Sequence, residues 1–151
     1  MGFGVTTGQT ATATLSGDGW FPALSVADFC TVYRLPAEYA ESLMLDHLGL
    51  AQLWAASLLA SWKEEQRAAG YTSLEAVELY GIQGGATLVY KRAVYSHAKG
   101  LLLQNFPSIE RREAARNDAK DAPETADVFF AAAQKAIATI QGRTFISVEA
   151  I

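Results

Sequence analysis

From about residue 26 to Gly142, apolar residues recur at helical spacing and are separated by short breaks. The pattern predicts an all-α domain, a bundle of four or five helices with irregular ends. A short first helix is expected from Val26 to Leu35, with Ser25 and Asp28 suited to its first turn. From Pro36 to Ala69 the pattern runs on without a breaker except Gly49. That predicts one helix of about 33 residues, roughly 50 Å at 1.5 Å per residue. Its polar positions (Glu41, Asp46, Gln52, Ser57 and Glu65 among them) form a narrow stripe, and most of the rest is apolar. A helix apolar around most of its circumference is a central core helix or presents one face to a neighbouring subunit.

Gly70 is placed as a left-handed stop, Ser73 opens a short turn over Leu74–Val77, and Gly81–Gly85 reads as a connector. The next helix is expected over Ala86–Phe106. Val89, Tyr90, Ala93, Val94, Ala98 and Leu102 lie on its inner side, and Lys91, Arg92, Ser96 and Lys99 on an outer basic face. Pro107 ends it. SIERREAARNDAKDA, residues 108–122, shows no apolar stripe and reads as a solvated helix or one contacting a polar partner. A last helix begins at Pro123 and is stopped by Gly142, with Phe129, Phe130, Ala133, Ala136, Ile137 and Ile140 as its apolar stripe.

The ends differ from this middle. Residues 1–18 are rich in Gly, Thr, Ser and Ala, carry no Lys or Arg, and read as a flexible N-terminal arm rather than a secretory signal. Residues 143–151, RTFISVEAI, have β character and read as an extended C-terminal tail. The helical domain then spans 19–142. No stretch approaches the roughly 18 continuous apolar residues of a membrane span, so no membrane is expected.

Composition sharpens the picture at three points. Half of the 151 residues are hydrophobic and only 19% charged, which excludes a wholly disordered chain and leaves apolar surface to spare for a partner. The net charge of −4 argues against tight sequence-independent DNA binding. The single cysteine, Cys30, excludes an internal disulfide framework.

Catalytic chemistry finds little support. His47 and His97 each lie inside a helix with no second histidine at i+3 or i+4, and both read as structural. Cys30 has no activating histidine beside it and reads as a buried thiol. GIQGG lacks the Lys-Ser/Thr of a phosphate loop, and no hydrolase, zincin or dinucleotide motif is present. No enzyme activity, cofactor or metal is expected.

Four clusters carry a resemblance. They are Asp18-Gly19-Trp20-Phe21-Pro22 with Phe29; Trp62-Lys63 and Gln66 with Ala69-Gly70-Tyr71, Ser73-Leu74 and Val77; Tyr90-Lys91-Arg92-Ala93-Val94-Tyr95 with Ala98-Lys99 and Leu102; and Ala136-Ile137, Ile140 and Gly142-Arg143 with Val148-Glu149 and Ile151. Their order and spacing, from Asp18 to Ile151, resemble the phage head completion protein family, GpL, of Peduovirus-type tailed phages. The chain departs from that pattern where Phe129-Phe130-Ala131-Ala132-Ala133-Gln134-Lys135 replaces an arginine-bearing stretch, and where Gln104-Asn105-Phe106-Pro107 replaces a charged run.

The resemblance implies a virion structural protein at the head–tail junction, assembled in the host cytoplasm. It implies docking on the portal protein after DNA packaging, a ring of about twelve copies, and contact with neck or tail terminator proteins. Packaged DNA would pass nearby without sequence-specific binding. The alternative is a non-viral or assembly-only helical interaction module. The candidate interface residues are Trp20, Phe21 and Pro22 as an aromatic anchor or a staple onto the chain's own core, Lys91, Arg92 and Lys99 as a basic face, and Phe145, Ile146, Val148 and Ile151 for strand addition to a partner.

Overall fold

A computed structural model describes residues 13–109 and 124–143. The chain is mostly helical, with one small antiparallel sheet that periodicity did not announce. Strand β1 (Thr14–Leu15) pairs with β2 (Leu24–Ser25), Thr14 opposite Ser25 and Leu15 opposite Leu24. Residues 13–18 therefore belong to the folded body rather than to an arm. The Ala13 carbonyl accepts from Val26 N at 3.1 Å, and Ala13 N donates to Glu41 Oε2 at 3.0 Å. Residues 1–12 of the expected arm lie outside the described residues, as do 110–123 and 144–151.

Helix α1 (Val26–Val32) starts as expected: the Ser25 hydroxyl caps Asp28 N at 3.1 Å. The long helix expected from Pro36 is not one helix. Residues 36–39 form a turn closed by Tyr39 N to Pro36 O, with the buried Tyr39 ring set edge-on against Phe106 at 5.9 Å. Helix α2 (Glu41–Leu58) begins only after it, and α3 (Ala60–Ala68) leaves α2 at 61°. Leu59, wholly buried, is the hinge. Past it the sequence turns polar and no residue of α3 is fully buried. The bend turns that polar helix to solvent while bringing Trp62 within 5.9 Å of Trp20. Gly70, at φ +105°, then reverses the chain as a left-handed stop.

A single 3-10 turn (Leu74–Ala76) and a tight hairpin at Leu79–Ile82 lead into helix α4 (Gly85–Asn105), the longest of the described helices. Helix α5 (Ala126–Ile140) is capped by the Thr125 hydroxyl, which accepts from Val128 N at 3.3 Å. Helix α4 is the spine. It runs antiparallel to α2, with His47 against Asn105 at one end and Trp54 against His97 nearer the other. Helix α5 makes the most extensive contact with α4, and its end is tied to that of α2 by Gln141 Nε2 to Leu58 O at 2.9 Å.

Lying between two helices strips α4 of most of its outer face. Ser96 and Lys99, expected on a basic outer face, are buried at 2% and 1% exposure. Arg92 alone of the three basic candidates is fully outward, with Lys91 half-buried. No single helix among the described residues is long and apolar enough to cross a membrane.

Candidate functional site

The aromatic cluster after β1 closes the domain on itself. Asp18 accepts from the backbone amides of Trp20 and Phe21 at 2.9 and 2.8 Å, which folds the loop into a side-chain-stabilised turn. Its other oxygen takes Lys63 Nζ at 2.6 Å. Burial raises the Asp18 pKa, but the Lys63 bond and the two amides outweigh it and bring it to about 2. The turn aims Trp20 and Phe21 inward. Trp20 Nε1 donates to Tyr71 O at 3.2 Å, its carbonyl accepts from Leu74 N, and Phe21 stacks on Tyr90 at 4.8 Å. Both rings are buried at 6% and 5% exposure. They are thus a staple on the chain's own core and not a surface anchor, while Pro22 stays half-exposed. Gly17 makes the turn possible, because a Cβ there would stand 2.0 Å from the Phe21 carbonyl oxygen.

Most of the polar groups inside are held structurally, but Thr87 Oγ1, Tyr90 Oη and His97 Nδ1 are buried with no hydrogen-bond partner among the described residues. His47 Nδ1 donates to Leu43 O at 2.9 Å, which leaves Nε2 to accept from Asn105 at 3.3 Å. Its adjacent Asp46 stands off at 3.9 Å. His97 stacks flat on Trp54, centroids 4.1 Å apart, with Phe130 tilted 5.1 Å away, and burial lowers its pKa. The Cys30 thiol sits 3.4 Å from the Met44 sulfur; burial, then Glu41, raises its pKa, which is the reverse of a nucleophile's tuning. Lys99 Nζ lies 3.5 Å from Glu124 and over the Phe129 ring at 5.9 Å. No group of three or more metal-ligating side chains gathers among the described residues.

What the surface offers instead is apolar. Leu50, Leu53 and Leu58 of α2 are 50%, 68% and 45% exposed. Leu50, Trp54 and Leu58 follow at four-residue spacing and so share one line along the helix. At its lower end the line borders a cleft of about 320 Å³ between α2 and α5, lined by Trp54, Leu58, Gln134, Ile137, Ala138 and Arg143. A second apolar feature is the tip at Tyr80 and Ile82, 81% and 65% exposed. The i, i+4, i+8 spacing was the available signal for the row on α2. The cleft has none, because α5 is remote in sequence. Phe145, Ile146, Val148 and Ile151 lie outside the described residues.

The described residues thus hold most of their inner polar groups in structural bonds and leave leucines exposed outside. The family model described as Phage head completion protein (GPL) matches residues 15–151, and the chain belongs to that family. It is a structural protein of virion head assembly. No curated protein and no solved structure matches the chain.

Proposed function

We propose that the chain is a head-completion and head-to-tail adaptor subunit. It joins the portal vertex after DNA packaging, stabilises the filled head and connects it to neck or tail proteins. In this reading it works at the head–tail junction as one of about twelve copies in a closed ring. The observation that carries the reading is the set of three exposed leucines on α2, Leu50, Leu53 and Leu58, in a head completion protein. A ring subunit needs a face for its neighbour as well as for the portal, and leucines left in water at this density mark such a face.

The exposed Arg92 and the half-buried Lys91 would meet an acidic portal surface. Phe145, Ile146, Val148 and Ile151 would add a strand to a neighbouring protein. The net charge of −4 suits a ring around a duplex that must slide, since strong phosphate contact would hold it. No catalytic step enters this function.

The test is the amount of this chain in purified phage particles, measured by quantitative mass spectrometry against the portal protein. A copy number matching the portal's is expected. Absence from mature particles would remove the adaptor reading and leave a helical partner-binding module that acts during assembly only.

A further inference from the structure

We propose that residues 144–151 of this chain seat in the cleft between α2 and α5 of the same molecule and run along the apolar row of α2. Four observations on the described residues lead there.

The first is where the chain leaves. Arg143, the last described residue, is itself part of the cleft wall, with Trp54, Leu58, Gln134, Ile137 and Ala138.

The second is the direction in which it leaves. Gly142 sits at φ +79°, Gly142 N donates to Thr139 O at 3.2 Å, and Arg143 N donates to Ala138 O at 2.8 Å. This paired bonding around a left-handed glycine ends a helix by folding the chain back over its last turn. Here the fold-back points at Ala138, a wall of the cleft, instead of onward along the axis of α5.

The third is what lies ahead. From Leu58 through Trp54 to Leu50 the row extends about 12 Å along α2 at 1.5 Å per residue. Eight extended residues span at most about 26–29 Å, so the segment covers the row with slack for the turn.

The fourth is chemistry. Thr144-Phe145-Ile146-Ser147-Val148-Glu149-Ala150-Ile151 has four large apolar side chains and one charged one, Glu149. The cleft wall is mixed, so the apolar side chains of such a segment can cover Trp54, Leu58 and Ile137 while Gln134 and Arg143 stand near to meet its polar groups, and the exposed leucines gain cover. The inference goes beyond the adaptor reading and does not require a ring. A segment seated in this way in the free subunit is the same one proposed above to reach a neighbour on assembly.

Disulfide trapping in the isolated full-length chain tests it. Leu50→Cys with Val148→Cys is prepared in a Cys30→Ala background, with Glu75→Cys and Val148→Cys as the control, Glu75 being exposed in the 3-10 turn and outside the cleft wall. Under mild oxidation at low concentration, the first pair is expected to close within one chain and the control to stay reduced. Both pairs staying reduced, or both closing equally, would overturn the proposal. So would bonds that join two chains, which would make a second copy the occupant. Hydrogen exchange on the unsubstituted chain gives an independent reading. Amides of 144–151 slowed by about tenfold or more are expected, and exchange at the unprotected rate counts against a seated segment. Neither readout depends on the copy number in particles, so failure here leaves the adaptor reading intact.

Discussion

The Phe130 ring lies across Gly100 so closely that a Cβ on the glycine would stand 2.7 Å from the ring's Cε1. This contact sets how near α4 and α5 approach, in the most extensive helix pairing of the fold. Two effects oppose each other in Gly100→Ala. Alanine favours a helix over glycine by about 1 kcal/mol, and overpacking a fitted contact costs about 1–3 kcal/mol. The ring is half-buried and backed by His97 at 5.1 Å, so it yields only in part. Gly100→Ala is expected to lose about 1 kcal/mol net, lowering Tm by about 2–4 °C in a domain of this size. Thermal unfolding followed by circular dichroism measures it, and Phe130→Leu in the same chain should recover most of the loss. A Tm equal to or above the parent's would show that the ring moves aside freely.

Lys99 and Glu124 make a different kind of contact. The lysine is buried at 1% and the glutamate is half-exposed. Burying an ammonium is costly, and a well-packed apolar replacement of similar volume is often neutral or stabilising by about 1–4 kcal/mol. Lys99→Met is therefore expected to keep or raise stability. Lys99→Ala opens a cavity against Phe129 and should cost about 2–4 kcal/mol, in the range of other large-to-alanine core changes. Urea denaturation of the two variants separates packing from charge. Equal losses in both would mean that the charge itself holds α5 in place.

His97 predicts a pH dependence. Burial lowers its pKa in the folded chain below the ordinary 6.5. Above pH 6.5 the ring is neutral in both states and contributes no slope. As pH falls below 6.5 the unfolded chain takes up a proton that the folded chain does not, so stability declines until pH reaches the lowered folded value. One proton gives at most about 1.4 kcal/mol per pH unit. His97→Phe keeps a flat ring on Trp54 and removes the proton. Between pH 7 and 5 its stability should fall less steeply than the parent's. Parallel curves in chemical denaturation at several pH values would assign the decline to other groups.

These contacts mark where the pattern of the chain was informative and where it was not. Ser25 as a cap, Gly70 and Gly142 as stops, and the inner faces of α4 and α5 were legible, because each depends on residues within a few positions. Lys99 was misplaced because periodicity records one helix at a time. It stands seven and eight positions from Arg92 and Lys91, hence on the same outward face, until α5 covers part of that face. The bend at Leu59 has no glycine or proline to announce it, and its signal is the change from apolar α2 to polar α3. The strands β1 and β2 are two residues each, too short to alternate. Trp20 and Phe21 stood equally for an inward staple or an outward anchor, and the choice rests on Lys63, Tyr71 and Tyr90, all remote in sequence. The four ordered clusters were enough for the family; the cleft between α2 and α5 required the fold.

Tyr80 is the last point of leverage. Leu79 and Ile82 exchange both backbone bonds, at 3.1 and 3.0 Å, around a two-residue turn. Tyr80 and Gly81 take φ of 54° and 78°. Positive φ at both central positions defines a type I′ turn, which suits Asn-Gly best. Glycine accepts this region freely, but tyrosine strains its Cβ against the backbone by roughly 1–2 kcal/mol. The ring gains nothing in return from the described core, since it is 81% exposed. Tyr80→Asn is therefore expected to stabilise the isolated chain by about 0.5–1 kcal/mol, in line with other substitutions that fit a backbone better. If the exposed tyrosine serves a neighbour, the same variant should enter phage particles less well while melting higher. Thermal unfolding and particle incorporation, measured on one variant, separate the two outcomes. A higher Tm with full incorporation would mean the strain at Tyr80 serves no interface. A lower Tm would mean that the ring packs on its own chain after all.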